Sequence, residues 1–377
     1  MAADDNGKKY IEQLTWLRGI AALFVIVAHS VRATEQTYVA GEEAANNTFM
    51  SFFELGSYGV ILFFALSGCT LYISNVRDGR LPSLQGFYIK RVMRIWPAFL
   101  VSLAIYIGFG YLFEALYVEP LGNWIERQFL YRGSSADLIS YSFLTFNVTG
   151  PWGLYNNAYW SLPVEFQYYL MFPLMVLSMR SFGLWGPAAI GVFLYFLPRF
   201  GLFEFDTYKM FYVAFSFCGG VIIGQLYVRG QRRLSMPVGL ALFLLVLAFT
   251  SVGIDRITAA YAETVLISNK WNWFGLTAIA SVYIVLITDF RLPSALEGVL
   301  KHYGTISYST YLYHNLFIGV AVLLLIHMGV QGGDARLFFT FFFTLFTTWF
   351  AAGWSFRYIE KPSIDIGRKL APRRKTV

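Results

Sequence analysis

Ten apolar stretches of about 14 to 24 residues recur along this chain, near 14–32, 57–75, 95–113, 160–179, 184–197, 210–228, 236–252, 272–289, 305–328 and 337–356. Most come close to the ~20 residues that an α-helix needs to cross ~30 Å of hydrocarbon. A helix pairs its backbone amides within the segment, so each run can bury itself in lipid without orphaned polar groups. The stretch 184–197 is the weakest, being short and meeting Pro198. The expected fold class is an all-α polytopic membrane protein with about ten transmembrane helices.

Composition agrees, with 57% of residues hydrophobic and 14% charged, against roughly a quarter charged in soluble domains. That balance excludes intrinsic disorder, and it excludes a water-soluble nucleic-acid-binding domain despite the net charge of +7. No nucleic acid is expected as a partner. The basic excess instead orients the chain. With a cytoplasmic N-terminus and ten spans, 21 of the 29 Lys and Arg fall on the inner side and 8 on the outer, which puts both termini in the cytoplasm. The organisation expected is a cytoplasmic segment 1–13, a transmembrane domain 14–362 and a basic cytoplasmic tail 363–377. No small-residue cleavage site follows the first apolar run, so it reads as a retained helix. The longest loop, about 114–159, falls outside and carries Trp124, Tyr131, Tyr141, Trp152, Tyr155 and Tyr159. These aromatics suit either an interfacial belt or a platform for stacking on sugars. Cys69 and Cys218 lie in apolar runs and the four His are scattered, so neither a disulfide framework nor a metal site is expected.

Ionisable residues inside apolar runs are costly and mark functional candidates. In the first run, Arg18 and His29 are eleven positions apart. Eleven helical steps leave about 20° after three turns, so both project from one face, separated by ~16.5 Å along the axis. A snorkelling arginine and a solvated histidine are the bland alternative. Ser67, Gly68 and Cys69 make a small-residue patch that permits close helix approach. Lys90, Arg91 and Arg94 precede Pro97 and form a compact cationic site. It suits a phosphate-bearing ligand, or an ordinary positive-inside anchor. Glu165 lies one to two turns below the outer end of its run, at a depth like that of His29. The expectation is that Glu165 accepts a hydrogen bond from one ring nitrogen of His29, fixing the tautomer and making the ring a general base or nucleophile. His314 is expected near mid-membrane, either lining the same cavity or satisfied by a neighbouring helix.

Taken in order, these pieces resemble the acyltransferase-3 family of bacterial integral-membrane acyltransferases. The resemblance rests on Arg18 to His29 in WLRGIAALFVIVAHS, FFALSG at 63–68, Arg91 to Arg94, Trp160, Ser161, Leu162 and Glu165 in WSLPVE, Ser307, Tyr308, Tyr311, Leu312 and His314 in SYSTYLYH, and YIEKP at 358–362. Cys69, Pro163 and Asn315 depart from residues common in the family at those places. The resemblance implies transfer of an acyl group, usually acetyl, from cytoplasmic acyl-CoA to a hydroxyl of an extracytoplasmic or membrane-associated glycan. It implies a bacterial inner-membrane location and lipid surroundings. His29, Glu165 and Arg18 would then be catalytic. Lys90, Arg91, Arg94 and Arg18 would hold the acetyl-CoA or other acyl-CoA donor, and Trp160, Ser161, Tyr311 and His314 would meet the acceptor. Two other classes compete: a proton-coupled secondary transporter using the intramembrane His, Glu and Arg, and a non-catalytic partner of a polysaccharide-export complex.

Overall fold

The computed structural model describes residues 11–35, 53–116, 126, 128–130, 133–150, 153–197, 209–230, 233–260, 270–330 and 333–372. Among them the architecture is all-helical, and β pairing is confined to two isolated bridges, Arg77 with Arg80 and Leu234 with Thr288. In chain order the helices of eight or more residues are α1 (Glu12–Glu35), α2 (Phe53–Asn75), α3 (Leu84–Ala115), α4 (Ser135–Ser142), α5 (Ser161–Phe182), α6 (Trp185–Phe196), α7 (Ala214–Arg229), α8 (Met236–Ala260), α9 (Lys270–Ile287), α10 (Ser294–Thr305), α11 (Ser307–His327), α12 (Gly333–Ser355) and α13 (Lys361–Leu370). Every one of the ten apolar stretches is helical. Five helical segments are long and apolar enough to cross a membrane: Glu12–Thr34, Leu55–Asn75, Leu84–Ala115, Ser307–His327 and Asp334–Leu370. Four more are apolar but shorter, and all of this fits a multi-pass membrane protein.

The third helix begins eleven residues before its apolar run. Ser83 caps it by accepting from the backbone N–H of Gly86 at 3.0 Å, so helix formation starts where a side-chain oxygen replaces a missing partner. Lys90, Arg91 and Arg94 therefore sit within α3 rather than ahead of it. Pro97 also lies inside this helix and leaves the carbonyl four residues back without its usual donor.

Helices in lipid gain little from apolar burial against each other, so contact depends on small residues that let backbones approach. The α2–α7 seam shows this directly. A Cβ at Gly220 would meet the Ala65 carbonyl oxygen at 2.1 Å, and one at Gly68 would meet that of Phe217 at 2.3 Å. The small-residue patch at 67–69 is thus a packing surface, as its composition suggests. The α1–α10 seam repeats the device, with Gly304 set against the Thr15 backbone and Gly19 against Leu300. On the outside, α12 exposes Phe338, Phe342, Phe346, Phe350 and Trp354 at four-residue spacing, an aromatic stripe suited to hydrocarbon.

The described tyrosines of the long loop belong to the core rather than to an exposed platform. Tyr141, Tyr155 and Tyr159 are buried. Tyr141 stacks on Phe146 with ring centroids 3.9 Å apart, and its hydroxyl accepts from the N–H of Leu154 at 2.8 Å. Tyr159 packs edge-on against Phe99 at 5.1 Å. Trp124, Tyr131 and Trp152 lie outside the described residues.

Overpacking so tight a seam costs typically about 1–3 kcal/mol. Gly220→Ala should therefore lower the thermal unfolding midpoint of the purified protein by several degrees, while Gly108→Ala, whose Cβ meets nothing within 4 Å, should not. Equal midpoints for the two variants would refute the close-packed seam.

Candidate active site

A cavity of about 370 Å³ opens among α1, α2, α3, α5, α11 and α13. Ile11, Ser74 and Arg368 line one end, where α1 begins, α2 finishes and α13 lies; Ser161 and Tyr311 line it deeper in. Arg18, Arg91, Arg94 and Arg368 face it, along with Glu165. Four guanidiniums against one carboxylate make it a place for an anion, since arginine binds phosphate and carboxylate oxygens through a fixed fork of donors.

Each of the deeper charges is held by a specific neighbour. Arg18 donates through Nη2 to Thr70 Oγ1 at 2.8 Å, and that hydroxyl donates onward to the Leu66 carbonyl at 2.7 Å. The Arg91 guanidinium lies 5.7 Å from the ring centroids of both Phe87 and Tyr169, within the range of cation–π attraction. Its Nε is buried and has no hydrogen-bond partner among the described residues. Glu165 accepts from the Tyr169 hydroxyl and from Ser67 Oγ at 3.2 Å, and it interacts electrostatically with Arg18, Arg91 and Arg94. Behind them Glu360, only 1% exposed, accepts from Ser309 Oγ at 2.8 Å.

A second polar group sits just past Ser161 and Tyr311. The Tyr311 hydroxyl donates to the Ala158 carbonyl and meets Ser161 Oγ at 2.7 Å. One turn along α11, His314 Nε2 lies 2.7 Å from His29 Nδ1, with the two rings stacked at 4.9 Å. Asn315 Oδ1 reaches the same His29 nitrogen at 2.9 Å. The Tyr311 and His314 rings are 5.8 Å apart, which joins this group to the cavity wall.

The structure thus brings Arg18, Arg91, Arg94, Glu165, Ser161 and Tyr311 around one cavity and sets His29 with His314 beside it. Lys90 and Trp160 are not among the lining residues; Trp160 packs edge-on against Trp271 at 5.9 Å. The expected pairing of Glu165 with His29 is overturned. The carboxylate turns to the arginine cluster and the hydroxyls of Ser67 and Tyr169, where its charge is compensated, and the imidazole turns to α11. Sequence reasoning missed Thr70, Tyr169 and Asn156. Tyr169 was findable, since it stands four residues after Glu165 and so on the same helix face. Asn315 was noticed only as a departure from a pattern.

The model of the acyltransferase-3 family, described as an acyltransferase domain, matches residues 11–356. The chain belongs to this family. Three similar proteins, from Staphylococcus aureus strains COL, MSSA476 and N315, are named putative O-acetyltransferases. Each is 22% identical over 386 residues, covering 94% of this chain and 57% of the relative. The chain therefore spans little more than half the length of those relatives. No solved structure matches it significantly.

Because His29 and Glu165 share no hydrogen-bond partner among the described residues, the stability effects of His29→Ala and Glu165→Gln should add within about 0.5 kcal/mol. A double-mutant cycle by chemical or thermal unfolding measures this. A coupling above about 1 kcal/mol would reinstate a direct link.

Proposed function

We propose that this protein is a membrane O-acyltransferase, acting as an O-acetyltransferase, that takes the acyl group of a cytoplasmic acyl-CoA and places it on a hydroxyl of an extracytoplasmic or membrane-associated glycan. One observation carries the reading: an arginine-lined cavity runs from the end where α1 begins and α2 finishes to Ser161 and Tyr311, beside an imidazole pair. The phosphates of the donor suit Arg91, Arg94, Arg18 and Arg368, and the unsatisfied N–H of Arg91 fits an anionic guest. Glu165 offsets part of the cationic charge when no ligand is bound. Ser161, Tyr311 and His314 stand at the acceptor end.

In the reaction proposed, His29 takes the proton from the acceptor hydroxyl as its oxygen attacks the thioester carbonyl. The C–S bond breaks as the new C–O bond completes the ester, and the CoA thiolate leaves and takes up the proton that His29 removed from the hydroxyl, which returns the imidazole to its neutral form. The positive-inside count supports placing the arginine end at the cytoplasm of a bacterial inner membrane, with ten crossings.

The test is reconstitution in liposomes with labelled acetyl-CoA and a panel of polysaccharides and simpler glycosides. His29→Ala should insert normally and lose at least about 100-fold in transfer rate. Arg91→Ala should raise the KM for acetyl-CoA roughly tenfold or more, as expected for loss of a charge-assisted contact of about 1.5–3 kcal/mol. Undiminished transfer by the His29 variant would overturn the assignment.

A further inference from the structure

The asparagine beside His314 departs from the family pattern, yet it is completely buried, as is Asn156 in the turn before α5. Their hydrogen bonds can be followed in one direction. Asn156 Oδ1 accepts from the backbone N–H of Ala158 at 2.9 Å, and Asn156 Nδ2 donates to the Leu312 carbonyl at 3.0 Å. Backbone groups cannot exchange roles, so this amide has a single orientation. Its oxygen also accepts from Asn315 Nδ2 at 2.8 Å. That contact fixes the second amide with its oxygen towards His29 Nδ1, 2.9 Å away. An amide oxygen only accepts, so the ring nitrogen facing it must carry the proton.

His314 reaches the same answer by a separate route. Its Nδ1 faces the carbonyls of Tyr311 at 2.9 Å and Thr310 at 3.2 Å, two acceptors that require a hydrogen there. In the neutral ring the other nitrogen, Nε2, then presents its lone pair, and it lies 2.7 Å from His29 Nδ1. Two acceptors therefore converge on one nitrogen of His29.

We infer that Asn315, oriented by Asn156 and assisted by His314, locks His29 in the tautomer protonated at Nδ1, so that Nε2 holds the lone pair that takes the acceptor's proton. Asn315 and Asn156 are positioning residues, acting through His29. The catalytic half of this inference rests on the proposed role of His29; the tautomer itself does not.

Nitrogen-15 histidine labelling and solid-state NMR of the full chain in lipid bilayers test it, with His29→Gln identifying the ring's signals. At neutral pH His29 should show a protonated Nδ1 and an unprotonated Nε2. Asn315→Leu should shift the ring towards a mixture of tautomers and lower kcat for acetyl transfer about tenfold or more, with the KM for acetyl-CoA unchanged. Asn315→Asp, which keeps an oxygen towards His29 but loses the donor to Asn156 and sets a carboxylate beside the ring, should favour the ring protonated at both nitrogens. Should the Leu variant fail to fold, Asn156→Ala gives the second test, since it frees the Asn315 amide to turn. A native ring protonated at Nε2, or a ring unmoved in both the Leu and Ala variants, would overturn the inference. A locked ring in a protein that transfers no acyl group would support the lock and refute the proposed reaction.

Discussion

Three guanidiniums crowd around one carboxylate inside a helix bundle, and the arrangement of the surrounding helices follows from keeping them there. A charge within an apolar span costs several kcal/mol unless the protein supplies partners. Here the partners come from separate helices. Thr70 of α2 receives Arg18 of α1, Tyr169 of α5 serves both Arg91 of α3 and Glu165, and Ser309 of α11 fixes Glu360. Like charges at such proximity repel, and Glu165 with Glu360 cannot neutralise Arg18, Arg91, Arg94 and Arg368 together. The residual positive field in a low-dielectric cleft is a standing attraction for an anion.

The polar chemistry is divided between two ends. The arginine end holds net charge and lies at the cavity; among the described residues the histidine end is built from amides, carbonyls and imidazoles. Between them stand Ser161 and Tyr311, tied to each other and to the Ala158 carbonyl. The glycine seams allow this separation. By drawing α2 onto α7 and α1 onto α10 at backbone contact, they leave room for the cavity on the other faces of α1 and α2.

Much of the fold was legible because lipid-compatible helices announce themselves by length and apolarity alone; all ten stretches became helices. The same-face placement of Arg18 and His29 was legible too, since eleven residues make three helical turns and both lie in one uninterrupted element. Depth along an axis could be counted for Glu165, but azimuth could not, and it is azimuth that sends its carboxylate to Ser67 and Tyr169 instead of His29. The loop tyrosines misled for a related reason: composition describes an aromatic belt, while only tertiary packing buries Tyr141 against Phe146 and Tyr159 against Phe99. Asn156 carried no signal at all, because its meaning depends on Asn315, 159 positions away.

The misplaced carboxylate is chemically informative. A carboxylate against an imidazole favours the charged ring, which has no lone pair to offer. An amide oxygen fixes the tautomer equally well and carries no net charge, so the ring it holds can stay neutral and act as a base. Placing Glu165 among arginines and Asn315 at His29 therefore gives each end the electrostatics that the proposed reaction would use: cations only partly compensated where the donor's phosphates would bind, and an imidazole held by an uncharged acceptor where the proton would be taken. Had the two acceptors been exchanged, the arginines would repel one another more strongly and the base would be less available. The departure from the family pattern at position 315 thus reads as compatible with catalysis because the substituted side chain supplies the acceptor that the buried ring needs.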